Sequence, residues 1–400
     1  MQFNKAAAKA IIILALASQL QGCLSSSATT APASSSTDAA KSSVATSSSI
    51  VTISSSLNTS SSSALPVVLG AKPTITVLPW NGAQGAYSII MDDYCLQTSK
   101  SLQWADSVAY SHQLSIAFAV VAGRCTADDW AKAVVMIKHG SEAVNHSDKH
   151  TCSDPAHCQG STPWLAGSAQ LFYEVDTSTR LIQTNTGIRP TFFGYPFDVA
   201  TDVTQDALQS LGYLGSRSYT HRNHSYGGLN QWIPSYFDGF TTDYDARMPT
   251  AMAASQMFGM NEIADSAITT KAWAVRETHG VADNSYAPWT QSEFIDHIEH
   301  LAALRDQGKL WVAPPSKVIR YIDLTAQLQW NISVASDAYE VQWNTAMDSL
   351  TRYAVPLRIQ VSGSWKAVQA GKDLGATSAA GATLISVDPS QGTLRLIPAP

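Results

Sequence analysis

Few residues in this sequence are charged, and acidic residues slightly outnumber basic ones. Charged side chains make up 14% of the 400 residues, with 25 Lys and Arg against 31 Asp and Glu and a formal net charge of −6. The Lys and Arg residues form no cluster. Because a nucleic-acid partner requires a basic surface that offsets phosphate charge, we expect no nucleic-acid partner. The hydrophobic content of 45% predicts a globular region with a sizeable core.

The N-terminus lacks an apolar run long enough to span a membrane. The run Ala10–Ala17 follows Lys5 and Lys9, and it is far shorter than the ~20 apolar residues of a membrane helix. This pattern is typical of an export signal. It ends in Leu20–Cys23 (LQGC), which resembles the bacterial lipoprotein signal, where the cysteine becomes the lipidated first residue.

That resemblance implies an exported lipoprotein anchored to the membrane through Cys23. Leu24 follows the cysteine and favours the outer membrane, so we expect the protein in the periplasm or at the cell surface. An ordinary secretory signal with an unrelated cysteine is the alternative, and it also predicts export.

Residues 24–66 are mainly Ser, Thr and Ala, with almost no charged or aromatic residue. Such a segment cannot bury enough apolar surface to offset the entropy of ordering it, so we predict a disordered linker. Residues 67–323 and 324–400 have different patterns. We therefore expect four parts: a signal of residues 1–23, the linker, an α/β domain over 67–323 and a small β-rich unit over 324–400.

Strand-like and helix-like segments alternate along residues 67–323. The predicted strands are Ala86–Met91, Leu114–Val121, Glu142–Val144, Thr191–Tyr195, Tyr213–Gly215, Trp273–Glu277 and Lys309–Ala313. The predicted helices are Leu102–Ser111, Ala127–Lys138, Leu165–Ile182, Thr204–Leu211, Gln291–Arg305 and Pro315–Tyr321. The alternation predicts an α/β fold with a parallel, barrel-like sheet. Alternating strands from Ala326–Val334 onwards predict a small antiparallel β unit.

Four cysteines remain once Cys23 is set aside, and they are Cys95, Cys125, Cys152 and Cys158. An even number in an exported protein indicates two disulfides. Cys152 and Cys158 are the easiest pair, which leaves Cys95 with Cys125, although sequence alone does not fix the pairing. A structural zinc cluster of His150, Cys152, His157 and Cys158 is the alternative.

Asp92 and Asp93 directly follow the first buried strand of the α/β region. Side chains at the ends of parallel strands meet at the functional edge of the sheet. Two adjacent carboxylates repel each other, so burying both requires a compensating cation or proton. Isolated Asp pairs are common in loops, and a solvated loop is the alternative interpretation.

His146 and His150 follow the strand Glu142–Val144 and are four residues apart. We expect both imidazoles on one face of a helical turn, the spacing used to bind zinc-like ions. Together with Asp93 they supply two nitrogen ligands and one carboxylate, which leaves an open position for water. A solvated histidine-rich loop is the alternative for this motif alone.

Four segments in this order resemble the NodB-like polysaccharide deacetylases, carbohydrate esterase family 4. They are Tyr87–Asp93 (YSIIMDD), Asn145–His150 (NHSDKH), Phe192–Asp198 (FFGYPFD) and Glu277–Val281 (ETHGV). The resemblance covers roughly residues 74–321. It implies a distorted (β/α) barrel fold and metal-dependent removal of acetyl groups from acetylated polysaccharide or oligosaccharide.

The resemblance also implies a role for each matching residue. Asp93, His146 and His150 would bind a divalent metal, zinc first, with cobalt, manganese or nickel as alternatives. Asp92 would be the general base and His279 the general acid. Phe197, through its backbone N–H, and Tyr195 would line the oxyanion side of the groove, and Ser147 would fix the His loop.

The sequence departs from the family pattern at two places. Gly194 stands where the family carries an arginine that orients the catalytic aspartate, and Arg217 is our candidate to reach in instead. The family's fourth motif, an aspartate segment that tunes the acid, has no clear match, with Asp238, Asp243 and Asp245 as candidates and Trp232 as a candidate groove wall.

The resemblance leaves the substrate open. We expect a hydrolase of N-acetyl groups, with an acetylxylan-type O-deacetylase and a non-catalytic carbohydrate-binding lipoprotein as alternatives. A minority of the aromatic residues are expected to stack on sugar rings, the candidates being Trp164, Tyr226, Trp232, Tyr236 and Trp289.

Overall fold

The computed structural model describes residues 69–218, 229–231, 250–254 and 259–399. The predicted signal with Cys23, the linker, Tyr226, Trp232, Tyr236 and the three candidate aspartates Asp238, Asp243 and Asp245 therefore lie outside the described residues. The described residues all belong to one compact unit. Within the described ranges, no helix has both the length and the apolar character that crossing a bilayer requires.

The strands, in chain order, are β1 Ile75–Val77, β2 Gly85–Tyr94, β3 Ala117–Val120, β4 Glu142–Asn145, β5 Phe192–Gly194, β6 Gly215–Ser218, β7 Leu229–Gln231, β8 Thr250–Ala254, β9 Ala272–Thr278, β10 Leu310–Val312, β11 Trp330–Val334, β12 Tyr339–Trp343, β13 Leu357–Ser362, β14 Trp365–Gln369, β15 Lys372–Asp373, β16 Thr377–Ala379, β17 Ala382–Val387 and β18 Leu394–Pro398. The helices are α1 Ser99–Ser111, α2 Ala127–Lys138, α3 Ala169–Leu171, α4 Ser178–Thr186, α5 Asp202–Ser210, α6 Met260–Thr270, α7 Gln291–Asp306, α8 Pro315–Gln327 and α9 Met347–Arg352.

The parallel strands close on themselves into a barrel. Pairing runs in the order β2, β3, β4, β5, β6, β8 and β9, and β9 pairs again with β2. The ring is irregular, because β4 and β5 share the single residue pair Asn145–Phe193 and β2 shifts register between Met91 and Tyr94. The predicted α/β class, a distorted (β/α) barrel, is confirmed.

Strand β2 runs through the middle of this barrel wall, and every one of its residues is buried. Its side chains alternate between two apolar layers, as the pleat of a strand requires. Ala86 and Ile90 belong to the cluster that includes Val144 and Phe192 of other barrel strands, whereas Met91 packs in the cluster that includes residues of α1 and α7. Burial on both faces explains why β2 is mostly apolar up to Met91.

Helix α2 begins as its sequence predicts. The Thr126 side chain accepts a hydrogen bond from the Asp129 backbone, and the Asp129 side chain accepts one from the Thr126 backbone. This capping box satisfies two backbone donors at the helix start. The prediction of one helix over Leu165–Ile182 is only partly right, because α3 and α4 are joined by a π-helical turn, Phe172–Thr177.

The C-terminal residues form two antiparallel sheets, in the orders β1-β13-β17-β16 and β11-β12-β18-β14-β15. The predicted small antiparallel unit is confirmed, with two differences. Strand β1, which lies within the predicted α/β segment 67–323, pairs with β13. The predicted strand Ala326–Val334 starts later, because α8 continues to Gln327. One apolar cluster includes residues of both the barrel and these sheets, so the sheets pack as part of the same core.

Candidate metal centre

The candidate site residues meet at the carboxyl edge of the barrel. Asp92 and Asp93 lie near the end of β2, His146 directly follows β4, and His279 directly follows β9. Arg217 lies near the end of β6. Because these strands are parallel, their last residues share one edge, and four segments that are distant in sequence become neighbours.

Asp93, His146 and His150 converge on one point. The Asp93 Oδ1 atom lies 3.8 Å from His146 Nε2 and 3.4 Å from His150 Nε2. All three ligand atoms lie within 4.8 Å of one another. Ligands bonded at ~2.0–2.1 Å to a tetrahedral zinc ion are about 3.4 Å apart. Asp93 Oδ1 is also buried without a hydrogen-bond partner, so the trio fits a divalent metal.

The protonation of the two histidines suits metal binding. His146 Nδ1 lies 2.8 Å from the Gly194 carbonyl oxygen. A carbonyl can only accept, so Nδ1 carries the hydrogen and Nε2 keeps its lone pair for the metal. Burial lowers the pKa of His146 to about 3, and burial also lowers the pKa of His150. Both imidazoles are therefore neutral at neutral pH.

The two aspartates have opposite electrostatic environments. Burial, followed by the Asp92 charge, raises the pKa of Asp93 to about 6. Burial also disfavours the charged form of Asp92, but opposing effects, the Arg217 charge first among them, lower its pKa overall. Asp92 is thus ionised at neutral pH, whereas Asp93 is fully ionised only when a cation is nearby.

The loop from His146 to His150 is not the helical turn that the spacing predicts. Ser147 and His150 have φ values of 70° and 59°, in the left-handed region. The loop is held by hydrogen bonds: the Ser147 hydroxyl accepts from His150 N at 2.9 Å, and Asn145 Oδ1 accepts from Ser147 N at 2.9 Å. The imidazoles still converge, with ring centroids 4.7 Å apart.

Glu174, which the sequence did not predict, lies in the π-helical turn and forms hydrogen bonds with this loop. Its Oε2 accepts from the backbone N–H groups of Asp148 and Lys149 at 3.1 and 3.0 Å. Its Oε1 accepts from the Thr151 hydroxyl at 2.8 Å. The side chain is fully buried. A π-helical turn is frequent at functional sites, but no signal in the sequence predicts one here.

Arg217 contacts Asp92, as the sequence analysis suggested. Its Nη2 donates to Asp92 Oδ2, and its Nη1 donates to Asp198 Oδ1. The guanidinium is completely buried. Burial raises the pKa of Asp198 to about 7 although the Arg217 charge opposes this effect. Arg217 therefore holds Asp92 in one orientation and compensates its charge.

Gly194 provides the space that Arg217 uses. Gly194 and Arg217 are register partners on the neighbouring strands β5 and β6. A Cβ on Gly194 would lie 3.3 Å from both Arg217 Nη2 and His146 Nδ1, a tight contact on each side. A glycine at this position thus allows a guanidinium from the next strand to pass.

His279 lies on the other side of Asp93. Its Nε2 is 3.9 Å from Asp93 Oδ2, and its Nδ1 is 3.5 Å from Glu277 Oε1. Tyr286, which the sequence analysis missed, stands edge-on to His279 at a centroid distance of 5.5 Å and is 72% exposed. His279 thus lies beside the metal trio.

Phe197 stands beside the metal trio, with its ring centroid 4.8 Å from that of His150. It is 56% exposed and its φ is 57°. Tyr195, which was predicted with it to line the groove, is buried and packs on Phe193. Of these two aromatic residues, Phe197 is therefore the one with an exposed ring.

Both disulfides form in the predicted pairing, Cys95 with Cys125 and Cys152 with Cys158. The alternative zinc cluster of His150, Cys152, His157 and Cys158 is wrong, since its thiols are bonded to each other. Cys95 comes two residues after Asp93, and Cys152 two residues after His150. Each bridge therefore braces the chain beside a candidate metal ligand.

Trp164 and Trp289, predicted as candidates for stacking on sugar rings, are 2% and 7% exposed. Trp164 donates its Nε1–H to the Thr151 hydroxyl at 3.1 Å, and Trp289 packs on Phe294. These two interpretations are wrong, because both indoles belong to the core around the site.

The fold and site together define a barrel with a candidate two-histidine, one-aspartate metal centre. No family model matches the chain, and no curated relative matches its sequence. The solved structures that it resembles include carbohydrate esterase family 4 proteins, the family whose motifs the sequence resembles.

Three of these structures illustrate the level of similarity. A CE4 domain of a multidomain xylanase from the Trinervitermes trinervoides hindgut metagenome is 10% identical, with a TM-score of 0.36 and coverage of 58% of this chain and 89% of that chain. A Clostridium thermocellum family 4 acetyl xylan esterase with cobalt is 16% identical, with a TM-score of 0.36 and coverage of 58% and 89%. A Bacillus subtilis peptidoglycan deacetylase is 16% identical, with a TM-score of 0.35 and coverage of 59% and 90%. Likeness at this level does not define an activity.

Metal affinity is expected to fall below about pH 6, because a proton then competes with the metal for Asp93, whose pKa is raised to about 6. His146 should not compete in this range, because burial lowers its pKa to about 3; the pKa of His150 is lowered as well. Zinc affinity measured by chelator competition should drop about tenfold per pH unit below that point and stay nearly level above about pH 7. A decline that begins only near pH 4 would contradict this assignment.

Loss of either disulfide is expected to weaken metal binding, because each one braces a ligand. The sequence separation is 30 for Cys95–Cys125 and 6 for Cys152–Cys158. The double variant Cys95→Ser/Cys125→Ser therefore opens the longer loop and should lower the free energy of unfolding by about 3–4 kcal/mol, whereas Cys152→Ser/Cys158→Ser should lower it by about 2 kcal/mol. Urea melts and zinc titrations of both double variants test this. Unchanged zinc affinity in both would show that the bridges do not position the ligands.

Proposed function

We propose that the chain is a metal-dependent hydrolase that removes acetyl groups from a polysaccharide or oligosaccharide, with N-acetyl groups favoured. The observation that carries the proposal is the position of Asp92: an ionised carboxylate fixed by Arg217, with its Oδ2 only 3.5 Å from His146 Nε2 of the metal trio. A charged base beside a metal position is the arrangement that activates water for attack on a carbonyl.

Asp93, His146 and His150 would hold the metal. Two imidazoles and one carboxylate suit zinc, and three protein ligands leave a position open for water or substrate. Cobalt, manganese and nickel accept similar ligands. When bound, the metal supplies Lewis acidity, which lowers the pKa of water and polarises the acetyl carbonyl.

The remaining steps belong to residues of this chain. Asp92 accepts the proton of the attacking water, and Arg217 keeps the carboxylate ionised and oriented. The Phe197 backbone N–H donates to the oxygen that becomes negative in the tetrahedral intermediate. His279 then donates a proton to the departing nitrogen or oxygen, which must be protonated as it leaves.

The substrate assignment rests on the surroundings of the site. Phe197 and Tyr286 are exposed aromatics beside it, next to His150 and His279 respectively, and aromatic faces suit sugar rings. An O-acetylated xylan-type glycan fits the same chemistry. A non-catalytic carbohydrate-binding lipoprotein was suggested by the missing arginine at Gly194, and the contact of Arg217 with Asp92 argues against it.

The location is also part of the proposal. An export signal ending at Cys23 would place the protein outside the cytoplasm, anchored through the lipidated cysteine, and the Ser-rich residues 24–66 would tether the barrel near its glycan. The presence of two disulfides supports an oxidising compartment.

Acetate release is the direct test. The zinc-loaded protein should release acetate from N-acetylated oligosaccharides, and a chelator should abolish the release. Asp92→Asn should lower kcat by roughly 10²–10⁴-fold, the usual contribution of a general base, with zinc content unchanged. Asp128→Asn is the matched control, because that carboxylate is on the surface and its side chain is 75% exposed.

Three outcomes separate the alternatives. Release from acetylated xylan but not from N-acetylated oligosaccharides would assign the O-deacetylase. Glycan binding without acetate release from any substrate would assign the non-catalytic protein. Full activity in Asp92→Asn would remove the base from the mechanism.

Substitution of Arg217 tests the relocated arginine. Arg217→Gln should lower kcat by about 10–100-fold, as is usual for a residue that orients a group of a metal site, whereas Arg217→Lys should retain part of the activity because it keeps the charge. Arg180→Gln is the control, since Arg180 pairs with Asp176 on the surface. Equal activity in all three variants and the parent protein would refute the role.

A further inference from the structure

Glu277 and His279 form a pair at the end of β9. Glu277 is 2% exposed, and its position along the barrel wall is fixed because it is the register partner of Ile90 on β2. Its Oε1 lies 3.5 Å from His279 Nδ1. Glu277 Oε2 and His279 Nδ1 are both buried and have no hydrogen-bond partner among the described residues. The contact of Nδ1 with Glu277 Oε1 is therefore a 3.5 Å approach between two buried polar atoms.

We propose that Glu277 is a positioning residue that fixes His279 with Nδ1 towards its own carboxyl group and Nε2 towards the metal trio. The inference rests on the proposed function, in which His279 is the general acid. The candidates from the sequence for the residue that tunes this acid were Asp238, Asp243 and Asp245. The inference assigns the carboxyl partner of the acid to Glu277, at the end of β9, instead.

The contacts around the imidazole define this orientation. Nδ1 faces Glu277, while Nε2 lies 3.9 Å from Asp93 Oδ2. Tyr286 covers the edge of the ring at 5.5 Å. A histidine held by a carboxyl group at one nitrogen presents the other nitrogen in a defined direction.

The position of Glu277 explains why such a pair favours acid catalysis. When the imidazole is protonated, its Nδ1 hydrogen faces the Glu277 carboxyl group and its Nε2 hydrogen faces the metal trio. That Nε2 hydrogen moves to the leaving nitrogen or oxygen as its bond to the acetyl carbon breaks. A neutral imidazole with hydrogen on Nδ1 is then left beside Glu277.

Burial raises the pKa of the Glu277 carboxyl well above its usual range, although the Arg217 charge opposes this effect. The charges of Asp92, Asp198 and Asp93 raise it further. Because the charged form of this carboxyl group is disfavoured, a neutral side chain at position 277 should not unfold the barrel.

A second metal position is the competing interpretation of the same atoms. Asp92, Glu277 and His279 also place ligand atoms within 4.8 Å of one another. The Arg217 guanidinium, however, is bonded to Asp92 Oδ2. A fixed cation on this ligand opposes a second divalent ion there.

The test compares substrates whose leaving groups differ in their need for a proton. The variants are Glu277→Gln, Glu277→Leu, His279→Ala and the double variant Glu277→Leu/His279→Ala, each zinc-loaded. Glu299→Gln is the matched control, because Glu299 is exposed on α7. The substrates are an N-acetylated oligosaccharide, whose leaving amine requires protonation, and 4-nitrophenyl acetate, whose leaving phenolate does not.

Glu277→Leu should lower kcat on the oligosaccharide about 10–100-fold with little change in KM, and should change the rate on the aryl ester less than about threefold. Glu277→Gln, which can still hydrogen-bond to Nδ1, should fall between Leu and the parent protein. The double variant should be no slower than His279→Ala, because the pair acts as a unit. Equal losses on both substrates, or additive effects, would overturn the inference.

Two measurements without turnover complete the test. Histidine ¹⁵N NMR, with and without zinc, should show a hydrogen bond at His279 Nδ1 that Glu277→Leu removes. Zinc content should be one per chain in both proteins. Two zinc ions in the parent protein and one in Glu277→Leu would overturn the inference in favour of a second metal.

The failure of the proposed function would be recognised separately. If the parent protein released no acetate from any substrate, the proposed function would fail. The NMR result would still decide the pairing: loss of the Nδ1 hydrogen bond in Glu277→Leu supports it, and an unchanged imidazole overturns it.

Discussion

The burial of two adjacent carboxylates at the end of β2 is the constraint on which the rest of the site depends. An ion removed from water costs several kcal/mol unless it is paired. Asp92 is compensated by the buried guanidinium of Arg217, whereas Asp93 has a raised pKa and a buried oxygen without a hydrogen bond. The same charge imbalance that makes the site costly to fold therefore gives it affinity for a cation. Metal binding and folding stability should rise together.

The second requirement is that the ligands stay in place although their backbone is strained. Asp93, Ser147, His150 and Phe197 all have φ between 57° and 70°, a region that costs non-glycine residues of order 1–3 kcal/mol each at functional sites. The surrounding contacts hold them there: Glu174 binds the His loop, and a disulfide follows two residues after each of Asp93 and His150. The loops are thus pre-organised before any metal or substrate arrives, which reduces the cost of ordering them on binding.

The sequence predicted the barrel and the convergence of Asp93, His146 and His150, because both follow from simple rules. Buried parallel strands are apolar runs, and their carboxyl ends share an edge. What it did not predict depends on contacts between distant segments. The left-handed loop at His146–His150 needs Glu174 from a π-helical turn, and the pairing of β1 with β13 joins opposite ends of the described chain. The burial of Trp164 likewise depends on a hydrogen bond to Thr151, and nothing in the local sequence predicts it.

Arg217 shows that a guanidinium missing from its expected position in a sequence motif can be supplied by a neighbouring strand. Gly194 and Arg217 are register neighbours, so a guanidinium from β6 can occupy the space that a side chain from β5 would otherwise fill. The two positions are coupled: any Cβ at 194 would crowd Arg217 Nη2 and His146 Nδ1 at 3.3 Å. An arginine at 194 would therefore need a smaller residue at 217. Glu277 follows the same logic for the acid, because what the chemistry requires is a carboxyl group beside His279 Nδ1, whichever strand or loop supplies it.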